Sequence, residues 1–206
     1  MPARRAFLAF ATALFVGGPA LVRPAQAEPA MGTTAAADFV RATGQEFVQA
    51  INGSGSATAK SAALTRIVDR RVDVDGIAKF CLGRFWRVAT AAERAQYENL
   101  FHRVLVLNVT AKIGDYQGVA FAVGRAVTRE EGVMVATTVT RPGQAAAEVD
   151  WLVRPINGAP RIIDVVAEGT SLRVTQRSDY ASFISRHNDS VAALITALRA
   201  QAAEAG

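Results

Sequence analysis

The chain has 206 residues, one cysteine, two histidines and a formal net charge of +5. A single cysteine excludes an intramolecular disulfide, so stability has to come from a buried core. Half of the residues are hydrophobic, and a chain of this size can bury roughly 70% of the surface that its unfolded form exposes.

Arg4 and Arg5, the apolar run 6–16, the helix breakers Gly17, Gly18 and Pro19, and then Ala25-Gln26-Ala27 follow the order of a removable export signal, with cleavage expected before Glu28. Arg4-Arg5-Ala6-Phe7-Leu8 also fits the twin-arginine pattern, so either the Sec or the twin-arginine route would carry the chain to the periplasm. The apolar run is too short for a membrane-spanning helix, which needs about 20 residues. Loss of residues 1–27 removes Arg4, Arg5 and Arg23 and no acid, which leaves 20 basic residues against 18 acids and a mature charge of +2. So small an excess argues against a nucleic-acid partner.

The small residues of 28–37 predict a flexible leader, and the folded domain is expected over 38–203. From Asp38 the pattern is helical. Phe39, Val40, Phe47, Val48 and Ile51 recur at near-helical spacing and end in Asn52-Gly53-Ser54-Gly55, which is turn chemistry. A second helix is expected over 57–70. Asp73 and Asp75 can cap a short helix through Ile77, Phe80 and Cys81 that stops near Gly83, with Trp86 ending the segment. Thr90-Ala91-Ala92-Glu93 has the form of a capping box, and it opens a long helix carrying Tyr97, Leu100, Phe101, Val104, Leu105, Leu107, Val109 and Ile113.

After Gly114 the period becomes near two over 118–128, 132–141, 145–155 and 160–167. Glu131-Gly132, Pro142-Gly143 and Asn157-Gly158 separate these runs at hairpin spacing, which predicts a four-stranded antiparallel meander. In the third run Val149, Trp151 and Val153 alternate with Glu148, Asp150 and Arg154, giving one apolar and one polar face. Helical patterns return over 171–187 and 189–203. Helices, then strands, then helices describe an α+β domain in which a curved sheet packs against several helices. The lack of alternating strand and helix units argues against a parallel nucleotide-binding sheet.

Groups that could carry chemistry are few. His102 and His187 belong to no metal-ligand spacing, and there is no cysteine pair, phosphate loop or serine elbow, so no catalytic residue, metal or cofactor is expected. Cys81, among Ile77, Phe80 and Leu82, reads as a small buried hydrophobe. Asp164 interrupts Ile162, Ile163, Val165 and Val166; a carboxylate in such a strand either acts as an acid or base or turns toward an arginine or a helix N-terminus. Arg84 and Arg87 flank Phe85-Trp86, and Arg173 and Arg177 follow on one helix. The guanidinium fork suits a phosphate head group or an acidic partner surface, and solvated helix faces use it too.

Two stretches are recognisable together. Asp75-Gly76-Ile77-Ala78-Lys79-Phe80-Cys81-Leu82-Gly83-Arg84-Phe85-Trp86-Arg87, followed by Thr90, Glu93, Tyr97, Leu100 and Phe101, resembles a signature segment and helix of the MlaC, or toluene-tolerance, family. Asp164-Val165-Val166-Ala167-Glu168-Gly169-Thr170-Ser171-Leu172, with Arg177-Ser178-Asp179-Tyr180, resembles that family's second signature. Cys81 stands where the family usually has an aliphatic residue, and Tyr180 where Phe is common. The resemblance covers residues 38 to 200 and implies a periplasmic phospholipid-binding protein with no catalytic residues. Its implied partners are a phospholipid or another acyl or isoprenoid lipid, the membrane-anchored MCE-domain protein of an ABC transporter, and an outer-membrane lipoprotein complex. Relatives linked to hopanoid biosynthesis leave the cargo open.

A carrier of this kind needs an apolar pocket. The expected walls are Trp86, Phe101, Val104, Leu107, Val135, Val139, Val149, Trp151, Val153, Val165 and Tyr180, with Val106 beside them. Gly118, Ala120, Ala122 and Gly124, small at strand spacing, would help a hollow persist. Arg84, Arg87, Arg173 and Arg177 are expected at a head group or partner. Periodicity does not separate a hollow from a filled core, so three functions stand: a lipid carrier, which the sequence favours; an adaptor with a filled core that binds only proteins; and a cup-shaped enzyme using Asp164.

Overall fold

The computed structural model describes residues 31–111 and 116–204. The expected export signal, the first leader residues and Ile113 lie outside the described residues. Five helices come first: α1 (Thr33–Asn52), α2 (Ala57–Arg71), α3 (Val74–Leu82), α4 (Phe85–Val88) and α5 (Ala91–Thr110). An antiparallel sheet follows, with β1 (Ala120–Arg129), β2 (Gly132–Thr140), β3 (Ala147–Ile156), β4 (Ala159–Ala167) and β5 (Thr170–Ser171) side by side in chain order. Then come α6 (Leu172–Arg186) and α7 (Val191–Glu204). The α+β expectation is met, with three differences in detail.

The leader expected over 28–37 is helical from Thr33, because Ala36 belongs to the buried stripe of α1 together with Phe39, Val40 and Thr43. Alanine is the best helix former and its small side chain permits close packing, so composition that reads as a tail serves as an interface. The sheet has a fifth strand where four are expected. A turn through Glu168 and Gly169, both at positive φ, folds Thr170 and Ser171 back on Ala167 and Val166, and two residues are too few to carry a period. Trp86 does not end the α3 segment; it lies within the single turn of α4, which follows the reversal at Gly83.

Side chains fix most helix starts. Ser56, Asp73 and Ser171 accept hydrogen bonds from the third amide after each of them. At Thr90 the capping box is complete: its hydroxyl accepts from the Glu93 amide, while its own N–H and hydroxyl both donate to Glu93 Oε2 at 2.8 Å. Those donors hold the Glu93 carboxyl below the usual carboxylate range. A lowered folded pKa means that the stabilisation is present at neutral pH and is lost as pH falls below the unfolded value of 4.5. Thr90→Ala should therefore cost about 1 kcal/mol in urea denaturation at neutral pH, and the difference from the parent should shrink in acid.

Two apolar clusters hold the domain. The helical one gathers Val68, Val74, Ala78, Cys81, Leu82, Phe85, Tyr97, Phe101, Val104, Tyr180 and Ile184 with the buried side of α7. At its centre Tyr97 meets Phe101 and Tyr180 with ring centroids 5.8 and 6.1 Å apart, and its hydroxyl donates to the Ala78 carbonyl at 2.9 Å. The second cluster seats Ala36, Phe39 and Val40 of α1 on Val133, Val135, Val153 and Ile162 of the sheet. Irregular register in β1 between Val123 and Ala126, and between Leu152 and Val153 against β4, marks the bulges that curve a sheet. The β3–β4 turn has Asn157 and Gly158 at φ 51° and 77°, the primed geometry that the Asn-Gly pair predicts.

Candidate functional site

Between the helical and the sheet clusters lies a cavity of about 800 Å³, within the roughly 300–1,000 Å³ range typical of small-molecule sites. Five helices and four strands supply its wall. Gly44, Phe47, Val48 and Ile51 come from α1, Leu64 and Val68 from α2, Ile77 from α3, and Phe101, Leu105, Asn108 and Val109 from α5. The sheet contributes Phe121, Val139, Trp151, Ile162 and Val165. Leu172, Arg173, Thr175, Gln176 and Asp179 of α6 border one side, together with Asp164.

The cavity persists because its wall is made of side chains that are committed elsewhere. Trp151 turns its indole N–H to Thr137 Oγ1 at 2.9 Å, and the Thr137 hydroxyl donates to the Val149 carbonyl at 2.6 Å. This chain satisfies the one polar atom of Trp151 and leaves the ring as apolar wall. At Gly44 an added Cβ would overlap the Phe121 ring, so the missing side chain lets β1 lean its aromatic against α1. Asn52 ties the end of α1 to the segment before β1, donating to the Val119 carbonyl at 3.2 Å and accepting from the Gly118 amide at 2.9 Å.

Four of the expected wall residues, Phe101, Val139, Trp151 and Val165, border the cavity. Val104 and Tyr180 are instead core of the helical cluster, and Trp86 and Leu107 pack against it. Val135 and Val153 lie beneath α1 in the sheet cluster, and Val149 is half-buried away from the wall. On α5 the lining stripe is Phe101, Leu105, Asn108 and Val109, spaced i, i+4, i+7 and i+8, a neighbouring helical face to the one that Val104 and Leu107 occupy. The spacing is legible in the sequence, and the polar Asn108 at the end of an apolar stripe is the signal that this face meets something other than core. The small-residue repeat also has a different role: Ala120, Ala122 and Gly124 are on the exposed face of β1, and Phe121 between them faces the cavity. The contribution of α1 and α2 had no separate signal, since their lining residues belong to ordinary amphipathic stripes.

Asp164 is 5% exposed and fully engaged. Its Oδ1 accepts from the Val165 and Arg173 amides at 2.8 and 3.2 Å, and its Oδ2 accepts from the Ser171 hydroxyl at 2.6 Å. Arg173 Nε lies 3.4 Å from Oδ2, an ion pair without hydrogen-bond alignment. Asp164 thus meets both an arginine and the N-terminus of α6, where negative charge is stabilised. The arrangement holds α6 against β4 and leaves no carboxylate oxygen idle for a substrate proton. Cys81 is buried, with its thiol pushed up to about 12 by burial and its Sγ donating to the Arg173 carbonyl at 3.6 Å; so protonated a thiol is packing. Among the described residues no group of three potential ligands gathers to hold a metal ion.

The four arginines separate. Arg173, with a side chain 10% exposed, is paired to Asp164 and Glu131 and lies 4.3 Å over the Phe80 ring. Arg84 and Arg177 border a different cleft, and Arg87 is exposed on α4.

The fold has been seen before. The phospholipid-binding protein from Ralstonia solanacearum, solved in complex with a phospholipid, superposes with a TM-score of 0.70 at 20% identity, covering 82% of this chain and 98% of that one. Among curated protein sequences none matches. The family profile of the MlaC protein matches residues 41–200, most of the chain, and the protein belongs to the MlaC family.

Proposed function

We propose that the protein is a periplasmic carrier that holds the acyl chains of a phospholipid in the cavity between its sheet and its helices. The observation that carries this reading is the cavity itself: about 800 Å³, walled largely by apolar side chains such as Phe47, Val48, Leu105, Val109, Phe121 and Trp151, with Asn108, Asp164 and the polar side chains of α6 completing its lining. A water molecule takes about 30 Å³ of liquid volume and needs 2–4 polar partners, so such a space favours hydrocarbon. Each methylene transferred from water to the cavity is worth about 0.8 kcal/mol. The bound phospholipid of the similar Ralstonia protein supports the same cargo class, and a hollow interior argues against an adaptor with a filled core. Delivery through an ABC-type transport system, with an MCE-domain protein at the inner membrane and a lipoprotein complex at the outer membrane, is the context implied by the sequence resemblance.

Native mass spectrometry of the mature protein purified from its own periplasm tests the proposal. A bound phospholipid at near one per chain is expected, and extraction names it. A bare protein mass that stays unchanged after incubation with phospholipid vesicles would overturn the reading.

A further inference from the structure

The helix α6 presents two different faces. Leu172, Arg173, Thr175, Gln176 and Asp179 border the cavity. Arg177, Ala181, Ser182 and Ser185 border a second cleft, of about 390 Å³, together with Leu82, Gly83, Arg84 and Phe85. At 3.6 residues per turn the two sets are centred on different sides of the helix, and they meet at Arg173 and Arg177, which both reach the Phe80 ring. The cleft and the cavity share no lining residue.

Its chemistry is that of an anion seat with an apolar floor. Leu82 and Phe85 are buried, Ser182 and Ser185 add hydroxyls, and two guanidinium groups stand at the rim. Arg84 lies 4.7 Å over the Phe85 ring and donates to Ser185 Oγ at 3.1 Å. Arg177 lies 4.9 Å over the Phe80 ring. Arg173 shares that ring but is neutralised by Asp164 and Glu131, whereas among the described residues no carboxylate pairs with Arg84 or Arg177. Contact with aromatic rings restrains both guanidinium groups, so less side-chain entropy is lost when an anion arrives.

We propose that this cleft is a docking site for an acidic segment of a partner protein, with one carboxylate side chain between Arg84 and Arg177 and a neighbouring apolar side chain over Leu82 and Ala181. Charge complementarity and concavity select this occupant. A bilayer surface is broad and flat, whereas here two cations flank a recess. The inference goes beyond the carrier reading and does not depend on which lipid is bound.

The test is fluorescence anisotropy of a labelled decapeptide alternating aspartate with leucine, titrated with the mature protein carrying its native lipid. Saturable binding is expected, weakened about tenfold by Arg84→Ala or by Arg177→Ala and abolished by the double change Arg84→Glu with Arg177→Glu. Ser182→Trp, which fills the recess without changing charge, should abolish it too, and amide exchange should slow over 80–88 and 177–186 when the peptide is bound. Both arginines are exposed, and an unchanged unfolding temperature keeps loss of binding distinct from loss of fold. Peptide binding that survives the double reversal would overturn the proposal. So would a protein that ignores the peptide but sediments with phosphatidylglycerol vesicles through Arg84 and Arg177.

Discussion

Leu105→Trp should abolish lipid loading while leaving the protein folded. Leu105 lines the cavity from α5, one turn beyond Phe101 and one before Val109, and it is half-buried, so a larger side chain has the hollow to grow into. Overpacking a filled core costs roughly 1–3 kcal/mol; filling a void instead restores dispersion contacts that its walls lack. The indole would occupy volume that hydrocarbon needs. Excluding half of a chain of about 14 methylenes removes some 5–6 kcal/mol at 0.8 kcal/mol each, about four decades in affinity.

The lipid found by native mass spectrometry should fall from near one per chain to below a tenth, with an unfolding temperature at or above the parent's. Val48→Trp, from the α1 wall, should do the same. Val88→Trp, at a position 72% exposed and outside the wall, should keep its lipid. Plugged variants that still carry lipid at the parent ratio would place the cargo elsewhere on the protein.

That experiment addresses the point at which sequence reasoning runs out. The order of helices, strands and helices follows from periodicity, the hairpin turns and the capping box at Thr90, because each of these is decided within a few residues. The distinction between Val104 and Leu105 is of another kind. They are adjacent, both aliphatic and on one helix; the first fills the helical core and the second faces a hollow. The difference is made by α1, more than fifty residues upstream in the chain, whose Phe47, Val48 and Ile51 line the same cavity as Leu105. A helical stripe reports that a face is covered and says nothing of whether its cover touches it. The same limit explains Val153 and Trp151, on one face of β3, where only the second reaches the wall because α1 lies over the first. Conversely, Asp164 was legible in both its possible roles, and its partners decide between them.

Asp164→Ala should lower stability by about 3–5 kcal/mol, the usual cost of breaking a buried, paired charge. For a domain of 150–250 residues each kcal/mol moves the unfolding temperature by roughly 2–4 °C, so a fall of about 10 °C is expected in differential scanning calorimetry. The loss has three parts. The Val165 and Arg173 amides lose their acceptor, the Ser171 hydroxyl loses its partner, and Arg173 keeps its charge at 10% side-chain exposure with only the half-exposed Glu131 to balance it. Since Arg173 and Leu172 border the cavity, the helix α6 should loosen there first, and amide exchange over 172–179 should rise before that of α5. Asp164→Asn separates charge from shape. Its amide oxygen can still accept from both backbone N–H groups, while its NH₂ faces Ser171 and Arg173 as a donor among donors, so it should fall between alanine and the parent in stability and still bind lipid. A loss below about 1 kcal/mol for Asp164→Ala would mean that the carboxylate does not hold α6, and would return an acid or base role to this residue.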